Sequence, residues 1–213
     1  MAKRPPWSAS LKITIMVEGQ TERAFMPHLR EFLKNRLDDR MPNLDPFPCN
    51  GRVYKGEKLR RTVEDLLGKG KTPSDAVIAL TDVYTGTGDF TSAADAKQKM
   101  ETWVKDNPRF YPHAAQYDFE AWLLPYWSNI QKIAGHNKTS PAAHPETVNH
   151  GKPPSYHLIE IFRIGTSKRE YSKTRDATRI LQGQDLTVAA AKCPELKAFL
   201  NTILTLSGAD PLQ

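Results

Sequence analysis

Glu18 and Glu22 stand on either side of Gly19 in MVEGQTE, residues 16–22, directly after the apolar run 11–17. A strand-to-helix turn needs a glycine and a cap; carboxylates on both sides of the glycine are a surplus of negative charge. Asp82 closes a second apolar run, AVIALTD. Glu120 lies in QYDFEAWLL, just past a third stretch with strand character, Phe110–Ala115. In an open parallel sheet ligands bind at the carboxyl ends of the strands. If these three strands are neighbours, Glu18, Asp82 and Glu120 converge on one edge, with Glu22 a turn further on and Asp89 of TGTGDF in reach. Carboxylate oxygens suit Mg²⁺ or Mn²⁺, hard ions that keep several waters. Such an ion activates water and neutralises charge on a phosphodiester. Gly19 lets the backbone pass close to a phosphate, and a helix start at Thr21 offers it free N–H groups.

Each acid also has an ordinary use. Glu22 suits the positive end of a helix, Asp82 suits a turn, and Glu120 suits a solvated helix face, although Phe119, Ala121 and Trp122 surround it with apolar neighbours. The metal reading rests on their common pattern, acids at the ends of successive buried strands. Nearby, His113 is a general-base or metal-ligand candidate with a surface or packing role as its alternative; Gln116 and Asp118 lie between it and Glu120. Ser155, Tyr156, Lys168, Tyr171, Lys173 and Arg175 interleave bases with aromatics, a pattern that holds nucleic acid by charge and stacking and that equally describes a solvated helical face. Trp103, Trp122 and Trp127 read as core. His136, His144 and His150 lack zinc-ligand partners.

Positioning these groups requires alternating strands and helices. Residues 11–17 alternate apolar positions and are rich in Ile and Val, as a strand does. Gln20 or Thr21 caps a helix with apolar positions Phe25, Leu29, Phe32, Leu33 and Leu37, which Pro27 is expected to delay or kink. Residues 40–55 read as a loop with a short strand near Val53. A second helix spans 58–67. AVIALTD looks buried on both faces, as in a parallel sheet covered by helices. A helix over 93–104, the strand 110–115 and an aromatic-rich helix over 119–133, interrupted near Pro125, follow. The expected organisation is a flexible arm (1–9), an α/β core (10–133), a loop (134–154) and a helical C-terminal extension packed on the core (155–213).

The chain has 213 residues, 39% of them apolar, enough for a real core. It holds no apolar run of the roughly 18–20 residues that a membrane span needs, and residues 1–10 have no apolar leader segment. Cys49 and Cys193 have no metal-binding spacing and are expected to be reduced thiols in the cytoplasm. The net charge of +6 divides into +6 over residues 1–72, −3 over 73–150 and +3 over 151–213. An acidic centre between basic flanks suits carboxylates that hold a metal and bases that meet phosphate.

VEGQTE followed by a helix, and an apolar strand ending in Asp, resemble the TOPRIM fold of topoisomerases, primases and overcoming-lysogenization-defect nucleases. With VEGQTERAF (17–25), LTD (80–82), QYDFEAWLL (116–124) and the tail KPPSYHLIEIF…YSKTRDATRIL…CPELKAFL, the chain resembles, more closely, a bacterial family of unknown function with a TOPRIM-like core, the 4276 family. The likeness covers nearly the whole chain. It implies an α/β fold with a mainly parallel sheet flanked by helices and a helical C-terminal part. It implies that Glu18 is the TOPRIM glutamate and Asp82 the first acid of the Asp-x-Asp motif. Position 84 is Tyr, so LTDVYTG keeps half of that motif, and Asp89 or Glu120 is the candidate to complete it. The expected function is a Mg²⁺- or Mn²⁺-dependent nuclease on DNA or RNA. Glu18, Glu22, Asp82 and Glu120 would be catalytic, and Glu18, Asp82, Asp89 and Glu120 would ligate the metal. Lys55, Lys58, Lys168, Lys173 and Arg175 would bind nucleic acid. The resemblance implies an effector of anti-phage defence with an ABC/SMC-type ATPase partner, and the sequence leaves the oligomeric state open. The alternative is a non-catalytic TOPRIM-like binding or regulatory subunit of such an ATPase complex, which Tyr84 favours.

Overall fold

The computed structural model describes residues 11–68, 72–84, 88–141, 144–148, 152–166 and 168–213. The expected N-terminal arm and His150 lie outside them. Four parallel strands form one sheet in the order β2-β1-β3-β4: β1 Lys12–Val17, β2 Asn43–Pro48, β3 Ala76–Asp82 and β4 Phe110–Ala115. The helices are α1 Gln20–Leu37, α2 Gly56–Gly68, α3 Ala93–Val104, α4 Trp127–Ala134, α5 Pro154–Ile164, α6 Lys173–Leu181, α7 Leu186–Ala190 and α8 Pro194–Leu206. Between β4 and α4 the chain makes two 3₁₀ turns, Phe119–Trp122 and Leu124–Tyr126. The architecture is the expected α/β one.

Strand alternation divides the core in two. Ile13, Ile15, Val17, Ile78 and Leu80 face α1 and the C-terminal helices in one apolar cluster. Met16, Val77 and Ala79 face α2 and α3 in another, with Leu59, Val63 and Met100. Both faces of β1 and β3 are covered, and their almost unbroken apolar character follows from that.

Two local expectations fail. The second strand is Asn43–Pro48, not a segment near Val53. Pro46 and Pro48 hide it in the sequence; they are tolerated because β2 is an edge strand with β1 as its one partner. Helix α1 starts at Gln20, so Pro27 does not delay it, and it continues to Leu37. Pro27 is exposed, so water can satisfy the carbonyl one turn earlier that loses its amide partner.

The chain leaves β1 for β2 on one side and returns past β1 to β3 on the other. The crossovers therefore part between β1 and β3. In sheets of this order, that switch point opens the crevice where ligands bind.

Candidate metal and phosphodiester site

Register places the first acids at this crevice. Val17 pairs with Leu80, so Glu18, one residue on, stands opposite Thr81, and Asp82 is the last residue of β3. The Thr81 hydroxyl donates to the Glu18 carboxylate, and the Val53 amide donates to the same oxygen at 3.4 Å. The loop after β2 thus closes over Glu18, its Gly51 amide reaching the Glu18 carbonyl at 2.7 Å. Glu22, in the first turn of α1, folds back to accept from the Gly19 amide at 3.0 Å. That bond satisfies one free donor of the helix start and holds a second carboxylate beside the first. Gly19 itself has extended backbone.

Glu120 arrives from β4. Phe119 and Trp122 anchor its 3₁₀ turn in an aromatic cluster, with Phe119 edge-on to Phe25 at 5.4 Å and Trp122 stacked on Phe199 at 6.0 Å. The turn is pinned so deeply that Glu120 is 0% exposed. Asp118, also buried, accepts from the Ser155 amide at the start of α5 at 3.2 Å. Both Glu120 oxygens and Asp118 Oδ1 are buried without a hydrogen-bond partner among the described residues.

The charges of these groups act on one another. Burial pushes Glu18 up to about 7, and Glu22 adds repulsion against the Thr81 and Val53 hydrogen bonds. Burial likewise raises Glu22 and Asp118. Glu120 is raised to about 7 by burial and then by the Asp118 charge. Asp82 is raised well above the usual carboxylate range by burial and by Glu22, Glu18, Glu120 and Asp118 in turn. Among the described residues one cation enters the group: Lys173 Nζ lies 3.6 Å from Glu120 Oε1. Burial lowers its pKa, but attraction to Glu120, Asp82, Asp118 and Glu22 raises it on balance. Lys173 opens α6, which packs along α1. The segment before it is clamped by Asp176, 0% exposed, which receives the Arg169 guanidinium at 2.6 and 2.8 Å and the Ser172 amide at 2.7 Å. Tyr171, half-buried near Glu120, has its phenol pushed far up by burial and the neighbouring acids.

A cleft of about 450 Å³ opens on the group, lined by Asp82, Tyr84, Phe90, Asp118, Ser155 and Lys173 among others. Among the described residues, no three His, Cys, Asp or Glu side chains stand ready-made to hold a metal ion. The donor set nonetheless fits one. It is all oxygen, it is strongly negative, and three of its buried oxygens lack hydrogen bonds, as sites for hard divalent cations require.

The structure thus brings Glu18, Glu22, Asp82 and Glu120 together, with Lys173. Asp89 is drawn instead into an ion pair with Lys55, while its neighbours Gly88 and Phe90 line the cleft. Lys58 sits over the Tyr54 ring at 3.8 Å, Arg175 leans on Asp176 at 3.3 Å, and Lys168 is exposed. His113 is turned away: its Nε2 meets Thr202 Oγ1 at 3.0 Å, its ring is edge-on to Phe199, and burial holds it down to about 3, a neutral packed histidine. His136 Nδ1 accepts from the Lys138 amide at 3.0 Å, and His144 Nδ1 meets the distant Lys192 carbonyl at 2.9 Å. Trp122 and Trp127 are buried and Trp103 half-buried. Asp118 and Thr81 went unselected as site residues in the sequence. The Asp-x-Glu spacing of 118 and 120 and the Thr before Asp82 were the available signals.

A four-stranded parallel sheet with helices on both faces and acids at its switch point defines a TOPRIM-like α/β protein. Residues 17–204 match the family described as a domain of unknown function, DUF4276, and the chain belongs to that family. Among solved structures, the C-terminal region of the Burkholderia pseudomallei OLD protein is similar, with a TM-score of 0.52 and 15% identity over 93% of this chain and 98% of that one. The C-terminal region of the Xanthomonas campestris pv. campestris OLD protein gives a TM-score of 0.48 at 14% identity, over 93% and 96%. At 15% identity the likeness to the Burkholderia region is one of fold. Among curated proteins none matches the chain.

Proposed function

We propose that the chain is a metal-dependent nuclease acting on nucleic-acid phosphodiesters at the carboxyl edge of its sheet. The meeting of five acids and Lys173 beside an open cleft at the β1/β3 switch point carries this reading. The fold shared with the OLD C-terminal region supports it. Glu18, Asp82 and Glu120 would hold Mg²⁺ or Mn²⁺, with Glu22 and Asp118 beside them and Asp89 at the rim. Bound there, the ion supplies positive charge at the scissile phosphate and lowers the pKa of water. The side chains do the rest. Lys173 faces the acids and neutralises the phosphate. The free amides at the start of α1 orient a phosphate oxygen. Glu18, raised to about 7 by burial without the ion, gives up its proton when the ion binds, so ion binding would tighten as pH rises through about 7. Lys55, Lys58, Lys168 and Arg175 meet the flanking backbone. The resemblance extends the proposal to an anti-phage effector in the cytoplasm that works with an ABC/SMC-type ATPase. Among the described residues no helix is long and apolar enough to cross a membrane.

A second reading, a non-catalytic subunit of such an ATPase complex, draws on Tyr84 in the place of the motif's second acid. One experiment separates the two. Labelled DNA and RNA are incubated with the wild-type chain and with Glu18→Ala, in Mg²⁺, Mn²⁺ or EDTA. The nuclease reading expects cleavage that chelation and the substitution both abolish. Cleavage that survives EDTA refutes the metal mechanism, and cleavage unchanged in the variant refutes the site. No cleavage alone or with the ATPase, together with stable co-purification, favours the subunit.

A further inference from the structure

We infer that the site takes unpaired nucleotides, and that Tyr84 is the stacking surface for a base next to the scissile phosphate; this rests on the nuclease reading above. Tyr84 stands two residues beyond Asp82, lines the same cleft, and is 44% exposed, among the few large apolar side chains left open to solvent. Its ring is braced from behind by Tyr117, with centroids 5.1 Å apart and the planes tilted by 52°. The Tyr84 amide donates to the Tyr117 carbonyl at 2.6 Å, which fixes the two backbones together.

Tyr117 has φ +72. For a bulky side chain this left-handed conformation costs about 1–3 kcal/mol, and such strain is concentrated where a site needs one particular presentation. Here it sets the aromatic pair at the mouth of the acid cleft, one residue before Asp118. The position that the TOPRIM motif gives to a second acid has become a fixed, exposed ring.

The chemistry of the surroundings selects the occupant. An aromatic face beside a lysine and a cation-binding group of acids matches a base and its phosphate, because stacking is open to every base and charge is satisfied at the backbone. Across the cleft Ser155 and Pro153 form the other wall. The next residue, Tyr156, is 37% exposed and carries Lys152 over its ring at 5.4 Å. An aromatic and a base therefore continue the path beyond the acids. Bases inside a duplex already stack on their neighbours and present no free face. A strand threading this cleft has to be single, frayed or flipped at the cut.

The test is binding, measured apart from cleavage. Short fluorescein-labelled single strands of DNA and of RNA, and the DNA duplex of the same sequence, are titrated in Ca²⁺ and in EDTA by fluorescence anisotropy. The proteins are the full chain, Tyr84→Ala and Tyr84→Phe, with circular dichroism as the fold control. The inference expects at least one single strand to bind more tightly than the duplex. It expects Tyr84→Ala to weaken that binding at least about fivefold, as the loss of one stacked base does, while Tyr84→Phe retains it. The DNA and RNA arms say which strand is preferred. Equal binding by Tyr84→Ala, equal losses in the Ala and Phe variants, or duplex binding as tight as single-strand binding each overturns it. If no metal and no substrate yields cleavage while the Tyr84-dependent preference stands, the nuclease reading fails and the stacking site survives. If cleavage is found and Tyr84→Ala binds normally, the stacking site alone fails.

Discussion

Replacing Glu18 by Gln should stabilise the protein, and only where the acid is charged. Glu18 titrates near 7 rather than its ordinary 4.5, because burial strips water from the carboxylate and Glu22 repels it. Between those values the unfolded chain has lost the proton and the folded chain has kept it. The folded state then binds more protons, so stability falls as pH rises. The contribution is fully favourable below about 4.5 and is lost as pH passes through about 7. The gap corresponds to about 3 kcal/mol at pH 8, at about 1.4 kcal/mol per pH unit. An amide of the same shape still accepts from Thr81 and Val53 and has no charge to desolvate. Glu18→Gln is therefore expected to gain up to about 3 kcal/mol at pH 8 in EDTA. For a chain of this size that is roughly 6–12 °C in unfolding midpoint, and the gain should shrink to about 1 kcal/mol or less at pH 5. Glu120 keeps its own pH dependence in both proteins, while Asp82 loses the Glu18 repulsion in the variant and adds to the gain in the same direction, so the difference between wild type and variant is the quantity to read. Adding Mg²⁺ at pH 8 should stabilise the wild type more than the variant, because only the wild type then offers the Glu18 charge. The assay is thermal unfolding followed by circular dichroism at pH 5 and pH 8, with EDTA or Mg²⁺. A variant less stable than wild type at pH 8 in EDTA, or a gain that ignores pH, would refute the reasoning.

Three further outcomes follow from the geometry. Lys173→Met removes the cation that Glu120 holds at 3.6 Å; cleavage is expected to fall about 100-fold, as on loss of one charge-stabilising donor, and the variant should unfold at a lower temperature at pH 8 than at pH 5. Asp176→Asn breaks the Arg169 clamp around a fully buried carboxylate; with Arg169 partly exposed, the expected loss is about 2–3 kcal/mol, read by urea unfolding, with cleavage reduced because Lys173 loses its support. Gly165→Ala would put a Cβ 2.0 Å from the Ala134 carbonyl oxygen; the α4 and α5 backbones must part, at about 1–3 kcal/mol, with no change in the pH dependence of stability because the acids are untouched.

How far the site was legible depends on how local its causes are. Glu18 and Asp82 each end a run of apolar residues, and a run buried on both faces can be a central strand, so their place at one edge could be read from pattern alone. Glu120 was legible through its discomfort: a carboxylate between Phe119 and Trp122 has no solvent face to occupy. Asp118 was harder, because the extended residue before a 3₁₀ turn reads as a surface turn until α5 is seen to cover it. Lys173 could not be chosen over Lys55, Lys58 or Lys168, since its place depends on α6 lying along α1 and on Asp176 gripping Arg169, both long-range facts. β2 was lost to its own prolines, which exclude a central strand but not an edge one.

What the fold does not do with these acids bears on the proposed cation. Elsewhere in the chain buried carboxylates are answered internally. Asp176 has a guanidinium and an amide, and Glu146 accepts from the Trp122 indole at 3.0 Å and the Glu195 amide at 3.1 Å. Among the described residues, five carboxylates at the switch point share one lysine, and both oxygens of Glu120 are buried without a hydrogen bond. Each raised pKa is free energy taken from folding at neutral pH. A sequence selected for stability alone would place Gln or Asn at these positions, at no steric cost. The contrast with the Asp176 clamp supports the proposed site, in which the missing positive charge would come from outside the chain. That is the property a site for a divalent cation and a phosphate must have before either arrives.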